Sequence, residues 1–319
     1  MHTKISKIKI MESKFIHLLS FILLIFLFHP FPVSSDKYSP NGHDNKNPPP
    51  PLDFLKNLIG IRKGSSAPGI SQLKKYLSKL GYTDNHDNTK SAAQEDNDFF
   101  DDALELAIIN YQSYFKLKVK GILDAETVHQ MMRPRCGVPD SGNFRSDHFK
   151  NKSPNIASYY SYFPGSPKWP PTKRNLTYSF PHGERTDLNT SILYVLDMWA
   201  GVSPFRFTYI SDYGQADIKI SFQYRDHGDG NPFDGPGGFL AHAFEPVDGR
   251  VHYDGDERWV DGVVEGAFDL KTVGLHELGH VLGLGHTTND GSIMYPYIGD
   301  GLRKGLDQED IKGIRSLYL

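Results

Sequence analysis

The amino-acid sequence predicts an α/β domain built around a mostly parallel sheet, preceded by a small bundle of three helices. Residues 69–132 carry three short helical patterns in succession, which indicates the bundle. Residues 176–319 alternate five strand patterns with three helical ones, which indicates the sheet and its covering helices. With 319 residues, the chain is long enough for about two domains that each bury a core.

The individual elements follow from apolar spacing and composition. In the bundle, residues 73–80 have helical spacing, residues 99–114 are helical in composition, and Asp124 is a suitable N-cap for a third helix. The strands are predicted by β-branched and aromatic content at 176–180, 205–210, 216–224, 239–244 and 250–253. The helices among them are predicted at 188–199, 269–282 and 307–318.

The first 35 residues have the pattern of a secretory signal peptide. Several lysines come before a short apolar run at 15–28, and small residues at 33–35 supply a cleavage site. The run is short for a membrane span, so we expect a soluble secreted chain, with an uncleaved membrane anchor as the less favoured alternative. Residues 36–66 are polar and rich in Asn, Lys and Pro, which predicts a flexible or extended lead-in.

Charge and cysteine content exclude further classes. The formal net charge of −3 gives no electrostatic reason to expect a nucleic-acid partner. Cys136 is the only cysteine, so the chain cannot form an internal disulfide. In a secreted protein, such a cysteine either bridges two molecules or has a specific task as a thiol.

The stretch 276–286 has the spacing of a catalytic zinc site. His276 and His280 are four residues apart, so both lie on one face of a helix and can reach the same metal ion. Gly283 permits a turn after the helix, which brings His286 back as a third ligand. Three imidazoles with an open position are typical of catalytic zinc, whereas structural zinc sites are closed.

The residue after the first of these histidines, Glu277, is predicted to be the general base. The alternative for the whole stretch is an amphipathic helix whose histidines share a face by coincidence. The extension to His286 and the later Met294 disfavour it, because together they form a much more specific pattern than two histidines alone.

Residues 134–140, which we call the switch segment, present Cys136 in an extended backbone. Prolines on both sides of the cysteine restrict the backbone, and Gly137 permits close approach to another surface. A thiolate presented in this way suits the open position of a zinc site. The alternative is an ordinary buried apolar cysteine, which the flanking prolines and the incomplete zinc site disfavour.

A second group of metal-binding side chains lies between residues 227 and 257. Three histidine nitrogens and one carboxylate oxygen would form a closed set of ligands suited to structural zinc. The residues that supply them are His227, Asp229, His242 and His252. The oxygen donors suited to calcium are the carboxylates of Asp234, Asp254 and Glu257 and the carbonyls of Gly235, Gly237 and Phe239. A solvated Gly/Asp-rich hairpin is the alternative, but every histidine after His182 belongs to this group or to 276–286.

Together, the zinc motif, Met294 and the switch segment resemble the matrix metalloproteinases, or matrixins, a family of metzincin zinc endopeptidases. The helical bundle resembles the peptidoglycan-binding-like module of their propeptides. The resemblance covers about residues 67–319 and is greatest to plant members that lack a hemopexin domain. It implies a metzincin catalytic domain, with a twisted five-stranded mostly parallel sheet and three helices, after a small three-helix propeptide domain.

The resemblance also implies three segments: a signal peptide at 1–35, a propeptide at 36–159 and a zinc metalloproteinase catalytic domain at 160–319. In such an arrangement Cys136 caps the catalytic zinc until the propeptide is removed, and a salt bridge between Arg135 and Asp140 holds the segment in place. The implied cofactors are catalytic and structural Zn²⁺ and Ca²⁺. The implied partners are extracellular protein or peptide substrates, an activating protease and protein inhibitors, and the enzyme is expected to be a monomer.

Further site residues follow from the same resemblance. Met294 is expected in a turn that forms an apolar floor beneath the zinc. Substrate is expected to lie extended along 239–244, as one more strand at the sheet edge. The residues expected to contact it are Leu240, Ala241, Thr272, Pro296 and Tyr297. The small side chain of Thr272 predicts an open pocket that accepts a long apolar side chain, such as Leu, after the cleaved bond.

Two carboxylates have less definite roles. Asp217 matches one ligand of the family's second calcium site, but Arg250 stands where another carboxylate is expected, so that site is expected to be incomplete. Asp310 matches the carboxylate that pairs with the new N-terminus after activation, and its alternative role is a solvated helix charge.

The preferred interpretation is a secreted zinc endopeptidase made as a latent zymogen. The alternative is a non-catalytic cell-wall or glycan-binding protein, with the bundle as the binder and the zinc-stabilised half as a scaffold. Glu277 disfavours this alternative, because a scaffold does not need a general base. Sequons at Asn151, Asn175 and Asn189 permit glycosylation.

Overall fold

The computed structural model describes residues 49–83, 97–140 and 160–319. The predicted signal peptide, most of the connection after the switch segment and the sequon at Asn151 lie outside the described residues. So does the lead-in up to residue 48.

The N-terminal bundle contains the three predicted helices, α1 (Ile70–Lys79), α2 (Asp102–Tyr114) and α3 (Ala125–Met131). The side chain of Asp101 caps α2 by accepting from the backbone N–H of Leu104. Asp124 caps α3 in the same way by accepting from Thr127, which confirms the predicted N-cap.

The predicted lead-in is wrong in its last part, because a 3₁₀ helix, Asp53–Leu58, packs into the bundle. Its side chains Leu55 and Leu58 are fully buried, and Leu52 is nearly so. These three leucines are three residues apart, which places them on one side of a 3₁₀ helix. The polar composition of the flanking residues conceals this short pattern.

The second half contains a six-stranded sheet in the order β1-β6-β7-β5-β3-β4. Every neighbouring pair is parallel except β6 with β7, which confirms the mostly parallel sheet. The strands of the chain in order are β1 (Arg135–Cys136), β2 (Ser161–Tyr162), β3 (Asn175–Ser179), β4 (Arg206–Tyr209), β5 (Ile218–Gln223), β6 (Phe239–Ala243), β7 (Arg250–Asp254), β8 (Trp259–Val260), β9 (Phe268–Asp269) and β10 (Leu284–Gly285).

The sheet has one strand more than the five predicted, and the additional strand β1 belongs to the switch segment. Two residues between prolines carry no strand pattern of their own. The strand forms because the backbone N–H of Arg135 donates to Gly238 O at 2.8 Å and that of Gly137 donates to Ala241 O at 2.8 Å. The switch segment therefore extends the sheet at the β6 edge.

The three helices predicted around the sheet are α4 (Thr186–Ala200), α5 (Leu270–Val281) and α6 (Gln308–Tyr318). Helix α5 is buried along nearly its whole length, in a core that also contains Trp199 and Met294. A Cβ added at Gly279 would lie 2.3 Å from the sulfur of Met294, so only glycine lets these elements approach so closely. Among the described residues, no helix is both long enough and apolar enough to span a bilayer.

Candidate metal centres and active site

Helix α5 positions the first two histidines of the zinc motif. Its start is fixed by Asp269, whose side chain accepts from the N–H of Thr272 at 3.0 Å and from the Thr272 hydroxyl at 2.7 Å. Arg303 donates to both oxygens of the same carboxylate, at 3.0 and 2.6 Å. The N-terminus of the helix is therefore hydrogen-bonded, through Asp269, to Arg303 in the loop that follows the zinc motif.

The chain turns at Gly283 and brings the third histidine back to the helix. Gly283 has φ +101°, which glycine tolerates, and a Cβ there would lie 2.6 Å from the carbonyl oxygen of Pro167. The Nε2 atoms of His276, His280 and His286 consequently lie 3.1–3.2 Å from one another. These three residues, which we call the first histidine cluster, are almost completely buried.

The hydrogen bonds behind the three rings determine their tautomers. The Nδ1 atom of His276 donates to Ile293 O at 2.7 Å, and that of His280 donates to Leu284 O at 2.8 Å. The Nδ1 atom of His286 lies 2.8 Å from the Asp140 carboxylate and donates to it. Each Nε2 therefore presents a lone pair to the centre of the cluster. Burial holds the pKa of His276 and of His280 well below the ordinary value, so these rings are neutral and available to a metal.

Cys136 supplies the fourth group of this site. Its Sγ lies 3.5 Å from His280 Nε2 and is completely buried. The sulfur and the three nitrogens form one compact set of four potential ligands. A tetrahedral zinc with metal–nitrogen bonds of about 2.0 Å has nitrogen–nitrogen edges of about 3.3 Å, close to the observed spacing. The residues present therefore fit zinc.

The switch segment lies between β6 and the chain after Met294. On one side it pairs with β6 as described above, in parallel orientation. On the other side the N–H of Cys136 donates to Pro296 O at 2.9 Å, and the N–H of Ile298 donates to Pro134 O at 3.1 Å. The segment thus uses backbone groups on both walls of the groove that leads to the histidines.

Asp140 and Arg135 form the expected ion pair in a fully buried position. The guanidinium donates to the two carboxylate oxygens at 2.7 and 3.1 Å. Burial opposes ionisation of Asp140, but Arg135 and His286 hold its pKa down to about 2. The hydroxyl of Tyr82, from the helical bundle, donates to the same carboxylate at 2.6 Å. The sequence gives no signal for this third partner.

Glu277 follows the first histidine and is also completely buried. Neither of its carboxylate oxygens has a hydrogen-bond partner among the described residues. Burial raises its pKa to about 8, and the Cys136 thiol lies close enough to oppose this rise. A buried carboxyl group with a raised pKa and unpartnered oxygens is suited to exchanging a proton with a reacting molecule.

Met294 lies in a turn, as expected, and its sulfur packs against Gly279 of α5, between the first two histidines in sequence. Its role as a floor beneath the zinc stays a prediction. Asp310 holds this turn by accepting from the N–H of Ile293 at 2.9 Å and from the hydroxyl of Ser292 at 2.5 Å. Asp310 is buried, so the alternative role as a solvated helix charge is wrong. Its pairing with a new N-terminus stays a prediction.

Three of the five residues expected to contact substrate, Ala241, Pro296 and Tyr297, contact the switch segment or the helical bundle instead. The carbonyls of Ala241 and Pro296 accept from the segment, and the hydroxyl of Tyr297 lies 2.5 Å from that of Tyr111 on α2. Leu240 is buried in the core of the sheet. Thr272 is also completely buried, and its hydroxyl accepts from the N–H of Lys304 at 3.0 Å. The open pocket beside Thr272 stays a prediction.

The second histidine cluster consists of His227, His242 and His252 with Asp229. The Asp229 Oδ2 atom lies 2.9 Å from His227 Nε2, 2.7 Å from His242 Nε2 and 3.0 Å from His252 Nδ1. Burial lowers the pKa of His242 to about 3, so this ring is neutral. The four groups form one compact set, which fits a closed zinc site. That His252 contributes Nδ1 was not foreseeable from its spacing.

The predicted calcium ligands surround the turn before β6. Asp234 accepts from the N–H of Phe239 at 3.0 Å, and Glu257 accepts from the N–H of Gly237 at 2.6 Å. One oxygen of Asp254 is buried and without a hydrogen-bond partner among the described residues. Burial, with repulsion from neighbouring carboxylates, raises the pKa of Asp234 to about 7 and that of Glu257 to about 8. Gly235 has φ +90°, as this tight turn requires. Ca²⁺ favours carboxylate oxygens, but these three carboxylates do not form one compact set as each histidine cluster does, so calcium at this turn stays a prediction.

The second calcium site does not fit. Asp217 forms an ion pair with Lys173 at 2.8 Å and accepts from the N–H and the hydroxyl of Thr177. Arg250 donates to Asp248 at 2.7 and 2.9 Å. Protein cations therefore already balance the charge at the carboxylates of this region.

Residues 168–319 match the matrixin family of peptidases, and residues 66–131 match the peptidoglycan binding domain family. Metalloendoproteinase 5-MMP of Arabidopsis thaliana is 40% identical, over 93% of this chain and 85% of its own length. Metalloendoproteinase 1 of Glycine max is 42% identical, over 80% of this chain and 83% of its own.

Interstitial collagenase of Sus scrofa is 44% identical, over 65% of this chain and 41% of its own length. The helical match agrees with the bundle described above, and the peptidase match contains both histidine clusters. Since identity to a plant relative extends along nearly the whole sequence, the chain belongs to the matrixin family, and it is a zinc-dependent metalloendopeptidase.

Proposed function

We propose that this matrixin is a secreted endopeptidase made as a latent precursor. Residues 1–35 direct secretion, residues 36–159 form the inhibitory propeptide, and residues 160–319 cleave extracellular proteins after the propeptide is removed. The observation that carries this proposal is the position of Cys136, whose sulfur lies 3.5 Å from a nitrogen of the first histidine cluster. A thiolate at that position excludes water from the metal, so the precursor is inactive.

His276, His280 and His286 would hold the catalytic zinc, which would supply Lewis-acid chemistry by polarising the peptide carbonyl and lowering the pKa of water. Glu277 accepts a proton from the attacking water and then delivers it to the departing amine. Its burial beside the first histidine supports this role, because both carboxylate oxygens lack a hydrogen-bond partner among the described residues and are available to a reacting molecule. Met294 supports the histidines from below.

Substrate replaces the switch segment at the edge of β6. The carbonyls of Gly238 and Ala241, which now accept from the segment, become available to an extended peptide. Thr272, Pro296 and Tyr297 line the pocket for the residue after the cleaved bond, and a long apolar residue is preferred there. A cleavage-site profile dominated by charged or very small residues at this position would reject that preference.

The second histidine cluster holds a structural zinc, and Asp234, Asp254 and Glu257 hold calcium, with the carbonyls of Gly235, Gly237 and Phe239. An activating protease cuts before residue 160, and protein inhibitors compete for the same groove. We expect the enzyme to be a monomer.

The proposal is tested by peptidase assays on the zinc-loaded full chain and on the same protein after its propeptide has been removed by proteolysis. We expect cleavage of a protein substrate only after removal. A Glu277→Ala variant treated identically should retain zinc but lose about three orders of magnitude in rate, within the range for loss of a general base. If the trimmed, zinc-loaded protein cleaves nothing, the endopeptidase proposal fails and a binding role for the helical bundle gains support.

A further inference from the structure

The three rings of the first histidine cluster do not have equivalent partners behind them. His276 and His280 donate to backbone carbonyls of Ile293 and Leu284, which belong to the same domain. His286 donates instead to a carboxylate, that of Asp140, which lies 146 residues earlier in the chain. The bond is 2.8 Å long and both side chains are completely buried.

The position of Asp140 is fixed from several directions. Arg135 donates to both of its oxygens, and Tyr82 donates to Oδ2, the oxygen that does not contact His286. The backbone N–H of Asp140 donates to Leu80 O at 3.0 Å, which ties it to the end of α1. The helical bundle and the switch segment together therefore aim one carboxylate oxygen at the ring of His286.

A carboxylate behind a metal-binding histidine affects the metal. It fixes the ring orientation and tautomer and makes the other ring nitrogen a better donor, and loss of such a partner typically weakens metal binding by about 10- to 100-fold. A neutral carbonyl behind the ring fixes the tautomer but has no negative charge to offer. Within this cluster, only His286 has the stronger type of partner among the described residues.

We propose that Asp140 is a positioning residue of the catalytic metal site: its carboxylate orients His286 and strengthens zinc retention in the full-length chain. The propeptide thereby contributes twice to the zinc, once through the sulfur of Cys136 and once through the carboxylate behind His286. Removal of the propeptide takes away both contributions, so the precursor is the form that acquires and keeps zinc best. This inference rests on the proposed zinc site and on the proposed latency.

Zinc retention tests the inference without relying on catalysis. The full-length chain is prepared in a Glu277→Ala background, which prevents self-cleavage, and the rate of zinc transfer to a chromogenic chelator is measured. We expect Asp140→Asn to accelerate loss of the catalytic zinc by about 10-fold or more, whereas zinc in the second histidine cluster should leave at an unchanged rate. The ring Nδ1 proton of His286 should also shift upfield in the NMR spectrum.

Tyr82→Phe is the matched control, because it removes a donor from Asp140 but leaves the contact with His286. It should change the zinc-transfer rate less than about 3-fold, below the effect expected for loss of the carboxylate. If Tyr82→Phe and Asp140→Asn accelerate zinc loss equally, Asp140 only anchors the segment and the inference is overturned. It is also overturned if neither variant changes the rate.

A second pair of variants covers the case in which Asp140→Asn does not fold, because it leaves the buried guanidinium of Arg135 without its partner. Arg135→Met keeps the carboxylate on His286, whereas Arg135→Met with Asp140→Asn removes it. Faster zinc loss from the double variant supports the inference, and equal rates contradict it. Failure of the proposed function is seen separately, as absent peptidase activity in the trimmed protein with intact Glu277.

Discussion

The two histidine clusters use the same kind of side chain but are completed in different ways. The second cluster receives its fourth group from Asp229, two residues after His227 and in the same loop. The first cluster receives its fourth group from Cys136, 144 residues before His280. A site completed by its own loop is permanent, whereas a site completed by a distant segment can be opened by removing that segment. The proposed structural and regulated metal centres thus differ in the sequence separation of their fourth group.

Of the variants that affect only one histidine cluster, His242→Ala is expected to cause the largest loss of stability. Because this variant removes a ligand from the closed set, bound zinc should fall by one ion per chain, while latency and the first cluster remain. Loss of a structural metal should lower the free energy of unfolding by about 4 kcal/mol, which corresponds to a fall in Tm of about 10 °C. Metal analysis and calorimetry measure both quantities. Retention of two zinc ions would contradict the closed site.

Cys136→Ser tests the other side of the comparison. The serine hydroxyl is a much weaker zinc ligand than a thiolate, so the uncut full chain should gain peptidase activity by at least about 10-fold, or about 1.4 kcal/mol. Removal of residues 36–159 makes the variant and the parent the same protein, so equal peptidase activity of their trimmed forms is the matched control. An uncut serine variant as inactive as the parent would mean that the segment inhibits by covering the groove rather than by its sulfur.

The carboxylates proposed to bind calcium can be compared with the two histidine clusters as a third candidate metal site, one whose charge depends on pH. Burial raises the pKa of Glu257 to about 8 and that of Asp234 to about 7, above their values in an unfolded chain. The folded state therefore binds more protons than the unfolded state, and without calcium its stability should fall as pH rises to about 8. Calcium would bind the deprotonated carboxylates, so it should raise Tm more at pH 8 than at pH 6.5, which corresponds to a difference of about 1 kcal/mol in the free energy of unfolding. Glu257→Gln should abolish this difference in thermal-shift measurements.

The smallest change in stability is expected at Asp217, where the ammonium group of Lys173 takes the place of a metal ion. Lys173→Met breaks an ion pair whose lysine is 43% exposed, so stability should fall by no more than about 1 kcal/mol. The calcium response of Tm should remain that of the parent. A Lys173→Met protein that binds an additional calcium ion with a clear gain in Tm would show that the second site is only masked.

The zinc motif was predictable because its geometry is local. Helical periodicity places His276 and His280 on one face, and the positive φ of Gly283 accounts for the return of His286. The closed set around Asp229 was also predictable, since a tally of the histidines was sufficient to collect its members. The choice of Nδ1 in His252 was not, because it depends on how that ring is rotated in β7.

The contacts that link the bundle to the active site could not be predicted from the sequence. The bond from His286 to Asp140 joins residues far apart in the chain, and neither side chain has a local pattern that indicates its partner. The sequence likewise does not indicate that the hydroxyls of Tyr82 and Tyr111 contact Asp140 and Tyr297. The additional strand β1 was missed for a related reason, since it exists only against β6.

Strand β1 also affects how readily the chain can self-associate at high protein concentration. In the full-length chain every residue of β6 is buried, and β1 covers the backbone groups at its outer edge. Sheet edges left open can pair with strands of other molecules and so promote self-association. Because two residues of the switch segment cover this edge, we expect the full-length chain to self-associate less than a chain with β6 uncovered. If the propeptide is removed as proposed, the edge of β6 is uncovered, and we expect the solubility of the trimmed enzyme to depend on whether another extended peptide pairs with it.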